Sequence, residues 1–256
     1  MANFIKNFLQ HPLTKGADLD DPKTTSLRLD IIRSKPFLRK IYEEWYNLIK
    51  DQYNSNAEVL EIGSGAGIMK NYIPNLITSD LFPIPGVDMV IDANRIDIND
   101  CSLDGIAMTN VLHHIPDCNI FFSEAIRVIR PGGKLVMIEP WNTKWSKWVY
   151  LNLHHEHFEP SKRDWIIENS GPLSSANGAL PWIIFNRDRK IFADKFPELR
   201  VLNIKPIMPI SYLLSGGISM RNILPGMMYK PVRFLEKRLK ESSWAMFALI
   251  TLSRHE

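Results

Sequence analysis

The sequence predicts an α/β protein built on a largely parallel β-sheet, and two observations support this prediction. Between residues 57 and 140, short apolar runs end in turns and are followed by helical patterns, in a repeated order. Strands that alternate with helices form parallel sheets with right-handed crossovers. Polar residues also follow the predicted strands, at the edge of the sheet where such proteins bind their ligands.

Length and composition agree with a globular protein. The chain has 256 residues, of which 45% are hydrophobic and 23% are charged, an ordinary balance for an α/β core. A net charge of +3 gives no reason to expect nucleic acid as a partner. Cys101 and Cys118 lack metal-ligand spacing and are expected to be reduced thiols, which predicts a cytoplasmic location. Neither a secretory signal nor a membrane span is expected from the apolar runs.

The first fifty residues are predicted to form a helical region before the sheet. An apolar stripe within residues 4–9 indicates one helix, and residues 11–26 indicate a turn-rich loop. Ser34 and Pro36 are expected at the start of a second helix, as cap and first-turn residue. The aromatic face of this helix either packs against the sheet or forms a lid that excludes water from a bound ligand.

The stretch EVLEIGSGAGIM organises the predicted sheet. Its first strand, residues 59–62, runs into Gly63, Gly65 and Gly67. Glycine permits a positive φ and lets backbone N–H groups approach a ligand. An apolar strand followed by a glycine-rich turn and a helix is typical of nucleotide-binding sites, although a plain βα turn is the alternative. The helix is expected to end before Pro74.

Polar residues follow the further strands of this region. The strands are predicted over residues 76–79, 87–91, 105–109 and 134–138. They are followed by Asp80, Asp92, Asn110 and Glu139, respectively. A helix over residues 120–129 and an Arg-Pro-Gly-Gly turn are expected to precede the last of these strands. The carboxyl ends of parallel strands meet at one edge, so these polar side chains are expected to lie together.

Two of these acids have a predicted role in binding a nucleoside. Asp80 lies 19 residues after Glu61, close to the spacing at which a carboxylate accepts hydrogen bonds from ribose hydroxyls. The alternative for Asp80 is a cap of the following turn. Asp92 is predicted to contact an adenine amino group, with backbone contacts from Ala93, and the alternative is a solvated loop residue.

Five features, in this order, resemble the class I S-adenosylmethionine-dependent methyltransferases: VLEIGSGAG, Asp80, Asp92-Ala93, GIAMTNVLHHIPD and RPGGKLVMIEP. The sequence is most similar to the small-molecule branch that includes the ubiquinone/menaquinone-type enzymes. The resemblance covers residues 59–140. It implies a Rossmann-like, seven-stranded, mostly parallel sheet with helices on both faces and an antiparallel last strand. Residues 199–206 and 246–253 are the candidates for the last two strands.

The resemblance also implies S-adenosylmethionine as cofactor and a set of binding residues. These are Glu61, Gly63, Ser64, Gly65, Gly67, Asp80, Leu81, Asp92, Ala93 and Asn110. Glu61 and the glycines are implied at the amino-acid part of the cofactor, Asp80 at the ribose, Asp92 at the adenine and Asn110 beside the methionine moiety. The third glycine falls one place too early for the G-x-G-x-x-G of NAD enzymes, and the turn lacks the lysine of a P-loop.

Two histidine clusters supply the candidate catalytic residues, because a general base assists methylation of a hydroxyl group. His113 and His114 follow the strand that ends at residue 109, and the resemblance places this pair near the acceptor. The second cluster is His154-His155-Glu156-His157, in which one of His155, Glu156 and His157 is predicted to be catalytic. Four consecutive residues cannot all face one point, so a polar helix end is the alternative. The spacing is not H-E-x-x-H, and no metal site is predicted.

The whole chain, residues 1–256, is predicted to be a single domain. Its parts are an N-terminal helical lid (1–50), a cofactor-binding core (51–140), a cap insertion (141–198) and C-terminal strands (199–256) with an insertion at 207–240. A helix is expected over residues 186–196. The insertions are expected to determine acceptor specificity.

The predicted acceptor is a small molecule or a lipid- or carbohydrate-linked intermediate, methylated on oxygen. Trp141, Trp145 and Trp148 recur at helical spacing among lysines, and residues 227–240 form a basic amphipathic pattern. Core packing or a cap over the acceptor is the first interpretation, and peripheral contact with a membrane is the second. Nucleic acid is not expected, and the oligomeric state stays open.

The predicted function is therefore S-adenosylmethionine-dependent methyl transfer. A rival from another class is a catalytically inactive, cofactor-binding partner or scaffold protein. The intact row of predicted ligands from Gly63 to Asn110 argues against that rival. A nicotinamide-dependent oxidoreductase is a second rival, and the glycine spacing argues against it.

Overall fold

The computed structural model describes residues 21–256, except residues 66, 155, 169–170 and 172–174. The helix predicted within residues 4–9 lies outside the described residues. Seven strands of the described chain join in one sheet. They are β1 (Val59–Ile62), β2 (Leu76–Asp80), β3 (Met89–Val90), β4 (Leu103–Thr109), β5 (Ile129–Pro140), β6 (Leu199–Ile207) and β7 (Phe247–Arg254).

The strand order is β3-β2-β1-β4-β5-β7-β6. Strands β1 to β5 pair in parallel, and β7 runs antiparallel between β5 and β6. The Rossmann-like, seven-stranded, mostly parallel sheet is thereby confirmed. The direction in which the strands succeed one another reverses between β1 and β4. In open α/β sheets, a crevice for ligands forms at the carboxyl ends of the strands on either side of such a switch point.

Helices surround the sheet. The α-helices are α1 (Pro22–Ser34), α2 (Pro36–Lys50), α3 (Cys118–Val128), α4 (Lys144–Leu153), α5 (Leu180–Trp182), α6 (Arg189–Lys195), α7 (Ser211–Leu214), α8 (Tyr229–Glu236) and α9 (Glu241–Trp244). Cys101 and Cys118 are free thiols, as expected. Across the ranges that the structure describes, we find no helix with the length and apolarity to cross a membrane.

Two predictions for the amino-terminal region differ from the structure. The loop predicted over residues 11–26 is wrong for its last residues, because the chain is helical from Pro22 on, where proline fits the first turn of α1, and residues 11–20 lie outside the described residues. Ser34 does not cap α2 but ends α1, where its hydroxyl donates to the carbonyl of Ile31 at 2.9 Å. Lys35 precedes α2 instead and makes no side-chain cap.

Two elements of the core differ from the predicted ones. A 3₁₀ turn, Ile68–Asn71, stands where a helix was predicted after Gly67, because Pro74 leaves room for a single turn. The Arg-Pro-Gly-Gly turn is a bulge inside β5, since Leu103 pairs with Ile129 and Gly105 pairs with Lys134.

The helix predicted over residues 186–196 is divided. A π-helical segment, Ile183–Arg187, precedes α6, and the N–H of Asp188 donates to the carbonyl of Ile183 at 2.8 Å. This segment widens the turn and leaves Phe185 fully buried, 5.1 Å from Phe192 between ring centroids.

Helix α2 packs against the sheet through its aromatic face. Trp45 is fully buried, with its ring 4.8 Å from that of Phe247 and stacked at 5.6 Å on Tyr212. The packing interpretation therefore holds for this face, and a lid function of the amino-terminal helices stays a prediction.

Polar contacts fasten α2 to the insertion at residues 207–240. The buried Lys35 ammonium donates to the carbonyl of Gly217 at 2.8 Å, and burial lowers the pKa of Lys35 to about 8. Arg233 pairs with Glu44 of α2 at 2.5 Å and also with Glu236. Glu236 is itself buried. The amino-terminal helices and the insertion therefore form one connected layer.

Candidate functional site

The predicted binding residues lie at the carboxyl ends of β1, β2, β3 and β4, which neighbour one another in the sheet. Gly63, Gly65 and Gly67 all have positive φ, at 68°, 52° and 63°. A Cβ on Gly63 would meet Val111 Cγ2 at 2.5 Å, so glycine is required there by space as well as by conformation. The glycine turn is thus shaped to keep backbone close to the end of β4.

Ser64 is used to hold this turn to β2. Its hydroxyl accepts the N–H of Ser79 at 3.0 Å, and its own N–H donates to the Ser79 carbonyl at 2.8 Å. The Ser64 hydroxyl is therefore already hydrogen-bonded within the fold, and its direct contact with a cofactor stays a prediction.

Asp80 is observed in the turn-capping role, and its contact with a ribose stays a prediction. One carboxylate oxygen accepts the N–H of Gly65 at 2.9 Å, and the other accepts the N–H of Phe82 at 3.2 Å. Burial raises the pKa of Asp80, and these backbone donors and the charge of Arg28 oppose that shift. The turn-capping alternative is thus observed, and each oxygen keeps a lone pair for a ribose hydroxyl. The neighbouring Leu81 is 42% exposed.

Asp92 lies in an exposed turn after β3. Its carboxylate accepts the N–H of Asn94 at 2.8 Å, and its backbone forms an isolated antiparallel β-bridge with Arg95. Ala93 packs partly against the core. The solvated-loop alternative describes the surroundings of Asp92, and its contact with adenine stays a prediction.

Unsatisfied polar atoms collect at this edge of the sheet. Among the described residues, six buried side-chain nitrogen or oxygen atoms lack a hydrogen-bond partner. Four of them are oxygens that follow or end β1, β3 and β4: Glu61 Oε2, Asn94 Oδ1, Thr109 Oγ1 and Asn110 Oδ1. Buried polar atoms are normally paired, so such a concentration marks a place built to receive hydrogen-bond donors from a ligand.

Glu61 and Asn110 are the most unusual of these residues. Burial, with a contribution from the charge of Asp80, raises the pKa of Glu61 to about 8. Asn110 has a φ of +58°, which is uncommon for a residue other than glycine. Its side chain acts on Tyr42 of α2, whose pKa is raised to about 12 chiefly by burial. The end of β4 is therefore close to the amino-terminal helices.

Glu139, at the end of β5, shapes the segment after Asn110. Its carboxylate is fully buried and accepts the N–H groups of Val111 at 2.7 Å and Leu112 at 2.8 Å. The other oxygen contacts His113 Nδ1 at 2.7 Å. Three consecutive residues of the β4 end are therefore held by one side chain from the neighbouring strand.

His113, His114 and Glu156, which belong to the two predicted clusters, lie together. His113 Nε2 is 3.5 Å from Glu156 Oε2, and His114 Nε2 is 3.9 Å from Glu156 Oε1. His114 Nδ1 in turn contacts the carbonyl of Ser175 at 3.0 Å. The contact between the two clusters is not indicated by any sequence pattern, and a catalytic role of these residues stays a prediction.

The rest of the second histidine cluster does not converge on this point. His157 pairs with Glu159 at 3.1 Å, and its side chain is 67% exposed. His155 lies outside the described residues. His154 Nδ1 lies 3.7 Å from Glu156 Oε2, at the rim of the cluster. A catalytic role of His155 or His157 stays a prediction without a described contact to support it.

Charges within the cluster determine its protonation. Burial alone would lower the pKa of His113, but Glu139 and Glu156 outweigh it and raise this pKa to about 9. Burial and the charge of His113 lower the pKa of His114 to about 4. Burial would raise the pKa of Glu156, but the neighbouring histidines hold it well below its usual range.

Arg28 of α1 is a further residue that the sequence did not indicate. Its charge lowers the pKa values of Asp80, Tyr42 and His114. The side chain is therefore close enough to act electrostatically on both the glycine-turn end and the histidine end of the site. No motif contains Arg28, so only the packing of α1 reveals it.

A surface pocket of about 380 Å³ lies beside Trp145 and Trp148 of α4. It is lined by Lys144, Trp145, Trp148, Ser243 and Trp244. The rings of Trp145 and Trp148 stack at 5.7 Å, and Trp148 is 52% exposed. Trp141 is buried in the core, as the packing interpretation predicted.

Comparison with known proteins points in one direction. A family profile described as a methyltransferase domain matches residues 36–166. The 2-methyl-6-phytyl-1,4-hydroquinone methyltransferase of Synechocystis is 28% identical over 141 residues, which are 48% of this chain and 43% of that protein. An uncharacterized 37.1 kDa protein in transposon TN4556 of Streptomyces fradiae is 34% identical over 80 residues, 31% of this chain and 21% of that protein. The chain thus spans less than half the length of either relative.

A solved structure is similar over almost the whole chain. The geranyl diphosphate C-methyltransferase of Streptomyces coelicolor superposes with a TM-score of 0.52 over 96% of this chain and 90% of that protein. The sequence identity is 13%, so this similarity shows the fold alone.

Proposed function

The chain belongs to the methyltransferase-domain family, and from this premise we propose that it transfers a methyl group from S-adenosylmethionine to a hydroxyl group. The acceptor is a small molecule or a lipid- or carbohydrate-linked intermediate. The observation that carries the proposal is the position of the imidazole and carboxylate cluster. The cluster comes after β4 and β5, at the same edge of the sheet as the glycine turn and the unsatisfied oxygens at the ends of β1, β3 and β4.

The residues present fit the cofactor. Its amino-acid part carries an ammonium group, and the unpaired oxygens of Glu61 and Asn110 are acceptors for such a donor. Asp80 would hold the ribose hydroxyls, and the glycine turn would lie against the ligand without a Cβ between them. When bound, S-adenosylmethionine supplies a methyl group already activated by its sulfonium.

The cluster would orient the acceptor and draw off the proton of its hydroxyl. Positioning alone can contribute about 7–11 kcal/mol to such a displacement. Glu156 and His114 present oxygen and nitrogen acceptors to the same small volume, while Glu139 fixes His113 from behind. An acidic hydroxyl, such as that of a phenol or a quinol, suits this arrangement best.

Calorimetric titration of the purified chain tests the cofactor assignment. Asp80→Ala is expected to weaken S-adenosylmethionine binding roughly ten- to a hundredfold, because two charge-assisted hydrogen bonds are lost. Asp194→Ala, which removes an exposed carboxylate on α6, is the matched control and should bind like the parent. Equal affinity of the folded Asp80 variant and the parent would refute the ribose contact. Binding of NAD in place of S-adenosylmethionine would refute the function.

Release of S-adenosylhomocysteine in the presence of phenols, quinols and sugars tests the acceptor class. Turnover with phenolic hydroxyls and none with amines is the expected outcome. Tight cofactor binding with no turnover by any acceptor would favour the inactive binding protein instead.

A lipid-linked acceptor is supported by the surface of α4. Trp148 and Leu151 are 52% and 56% exposed, and Lys144 lines the tryptophan pocket beside them. Exposed aromatic rings with adjacent lysines suit the headgroup region of an anionic membrane. The parent is expected to sediment with phosphatidylglycerol vesicles, and Trp148→Ser should reduce the bound fraction severalfold. Equal sedimentation of the two proteins would contradict this membrane contact.

A further inference from the structure

The cluster of His113, His114 and Glu156 has the composition of a metal site. One ligand atom from each residue lies within 4.8 Å of the other two. In a tetrahedral zinc site with bonds of about 2.0–2.1 Å, ligand atoms are roughly 3.4 Å apart. His113 Nε2 and Glu156 Oε2 are already 3.5 Å apart, and His114 Nε2 and Glu156 Oε1 are 3.9 Å apart. Side-chain movements below about 1 Å would complete the geometry.

Both imidazoles are hydrogen-bonded through their Nδ1 atoms, as the imidazoles of metal-binding histidines usually are through their second nitrogen. The Nδ1 atom of His113 is bound by the Glu139 carboxylate at 2.7 Å, and that of His114 by the Ser175 carbonyl at 3.0 Å. Metal-binding histidines almost always donate their second N–H to a carboxylate or a backbone carbonyl, which fixes the ring. Here the two supports belong to β5 and to the segment near residue 175, so both Nε2 atoms are directed to one carboxylate.

The hydrogen bond to Ser175 decides which nitrogen of His114 can serve as a ligand atom. The Ser175 carbonyl can only accept, so His114 Nδ1 carries the hydrogen of that bond and Nε2 is the nitrogen that can coordinate an ion. This Nε2 atom lies 3.9 Å from Glu156 Oε1.

We propose that His113, His114 and Glu156 bind a divalent transition-metal ion of the zinc type. A proton on His113 and such an ion are alternative occupants of the same small volume. Two imidazoles and one carboxylate favour zinc, cobalt, iron or nickel over magnesium and calcium, which prefer oxygen ligands. Three protein ligands leave a coordination position for a further oxygen, as in catalytic zinc sites.

The consequence for chemistry rests on the function proposed above. A hydroxyl oxygen bound to the ion at that position has a lowered pKa. The O–H bond would break with its electron pair left on oxygen, and the proton would pass to water. The ion would therefore present the acceptor oxygen in its nucleophilic form.

Titration of the chelator-treated full chain with Co²⁺, followed by visible absorption, tests the site directly. One equivalent is expected to bind with micromolar or tighter affinity, and Zn²⁺ should displace it while Mg²⁺ should not. His114→Asn and Glu156→Gln should each weaken Co²⁺ binding at least tenfold. His255→Asn removes an exposed histidine far along the sequence and should bind Co²⁺ like the parent.

The outcomes separate the metal proposal from the proposed function. The titration with S-adenosylmethionine is repeated on the same samples, and the two variants should keep the parent affinity, which also shows that they are folded. Absence of stoichiometric Co²⁺ binding, or equal binding by parent and variants, would overturn the metal site whether or not the cofactor binds. Loss of Co²⁺ in the variants together with no cofactor binding in the parent would leave the metal site standing and refute the function.

Discussion

Replacing Glu139 with leucine is expected to lower the free energy of unfolding by about 3–5 kcal/mol, because it removes one partner of a buried ion pair. The carboxylate of Glu139 is fully buried and bonds Val111, Leu112 and His113. Leucine can accept none of these bonds, so two backbone N–H groups and an imidazole would remain buried without their partner. Urea unfolding followed by circular dichroism measures the loss.

Two further variants make this experiment specific. Glu139→Gln keeps a carbonyl oxygen that can accept the backbone N–H groups, and it should lose less stability than the leucine variant. Glu58→Gln changes a side chain that is 61% exposed, and it should stay within about 0.5 kcal/mol of the parent. A loss below about 1 kcal/mol in Glu139→Leu would show that the end of β4 is held by other contacts.

Glu61 is expected to make the protein less stable as pH rises from about 4.5 to 8. Its pKa is 4.5 in a solvated chain and about 8 in the folded protein, owing chiefly to burial. Between these values the folded state retains a proton that the unfolded state has lost, so stability decreases with pH. This shift in the pKa of Glu61 corresponds to a loss of roughly 5 kcal/mol in the free energy of unfolding between pH 4.5 and pH 8.

Glu61→Gln tests this linkage. Glutamine cannot ionise, so the decline in unfolding free energy from pH 5 to pH 8 should become several kcal/mol smaller than in the parent. The remaining pH dependence of the variant has other sources, because the raised pKa values of Asp80 and His113 favour a decline and the lowered pKa of His114 opposes it. An unchanged pH dependence in Glu61→Gln, with Glu58→Gln as control, would contradict the assignment.

Glu61 also connects stability to the proposed ligand. An ammonium group placed beside its carboxylate would favour the ionised form and lower its pKa. Binding of S-adenosylmethionine near pH 7 should therefore release close to one proton in the parent and less in Glu61→Gln. Calorimetry in buffers of different ionisation enthalpy measures this number. Equal proton release in both proteins would argue against contact between Glu61 and the ammonium group.

The sequence predicted the sheet well because its signals are local. The apolar runs of β1, β2 and β4 are visible within a few residues, whereas the antiparallel β7 was implied by the family resemblance. The carboxyl-edge position of Asp80 and Asn110 follows from the same alternation of strand and turn. The class I methyltransferase resemblance, drawn from these motifs, is confirmed by the family and the fold.

What the sequence did not reveal depends on distant packing. His113 meets Glu156 across a separation of more than forty residues, and His114 meets Ser175 across 61. No spacing rule joins such residues, so the pairing of the two histidine clusters required the folded chain. The bulge in β5 was missed for a related reason. Its Arg-Pro-Gly-Gly sequence has turn chemistry, but pairing with β4 keeps it in the sheet.

The place of β7 between β5 and β6 has a consequence for biosynthesis. Its residues 247–252 are buried, and it pairs with both neighbouring strands. On the ribosome, β5 and β6 emerge before the strand that separates them. The edge of β5 therefore carries unpaired backbone groups while the whole 207–240 segment is being made, a state that invites association with other nascent chains. The sheet can therefore be completed only after residue 254 has left the exit tunnel.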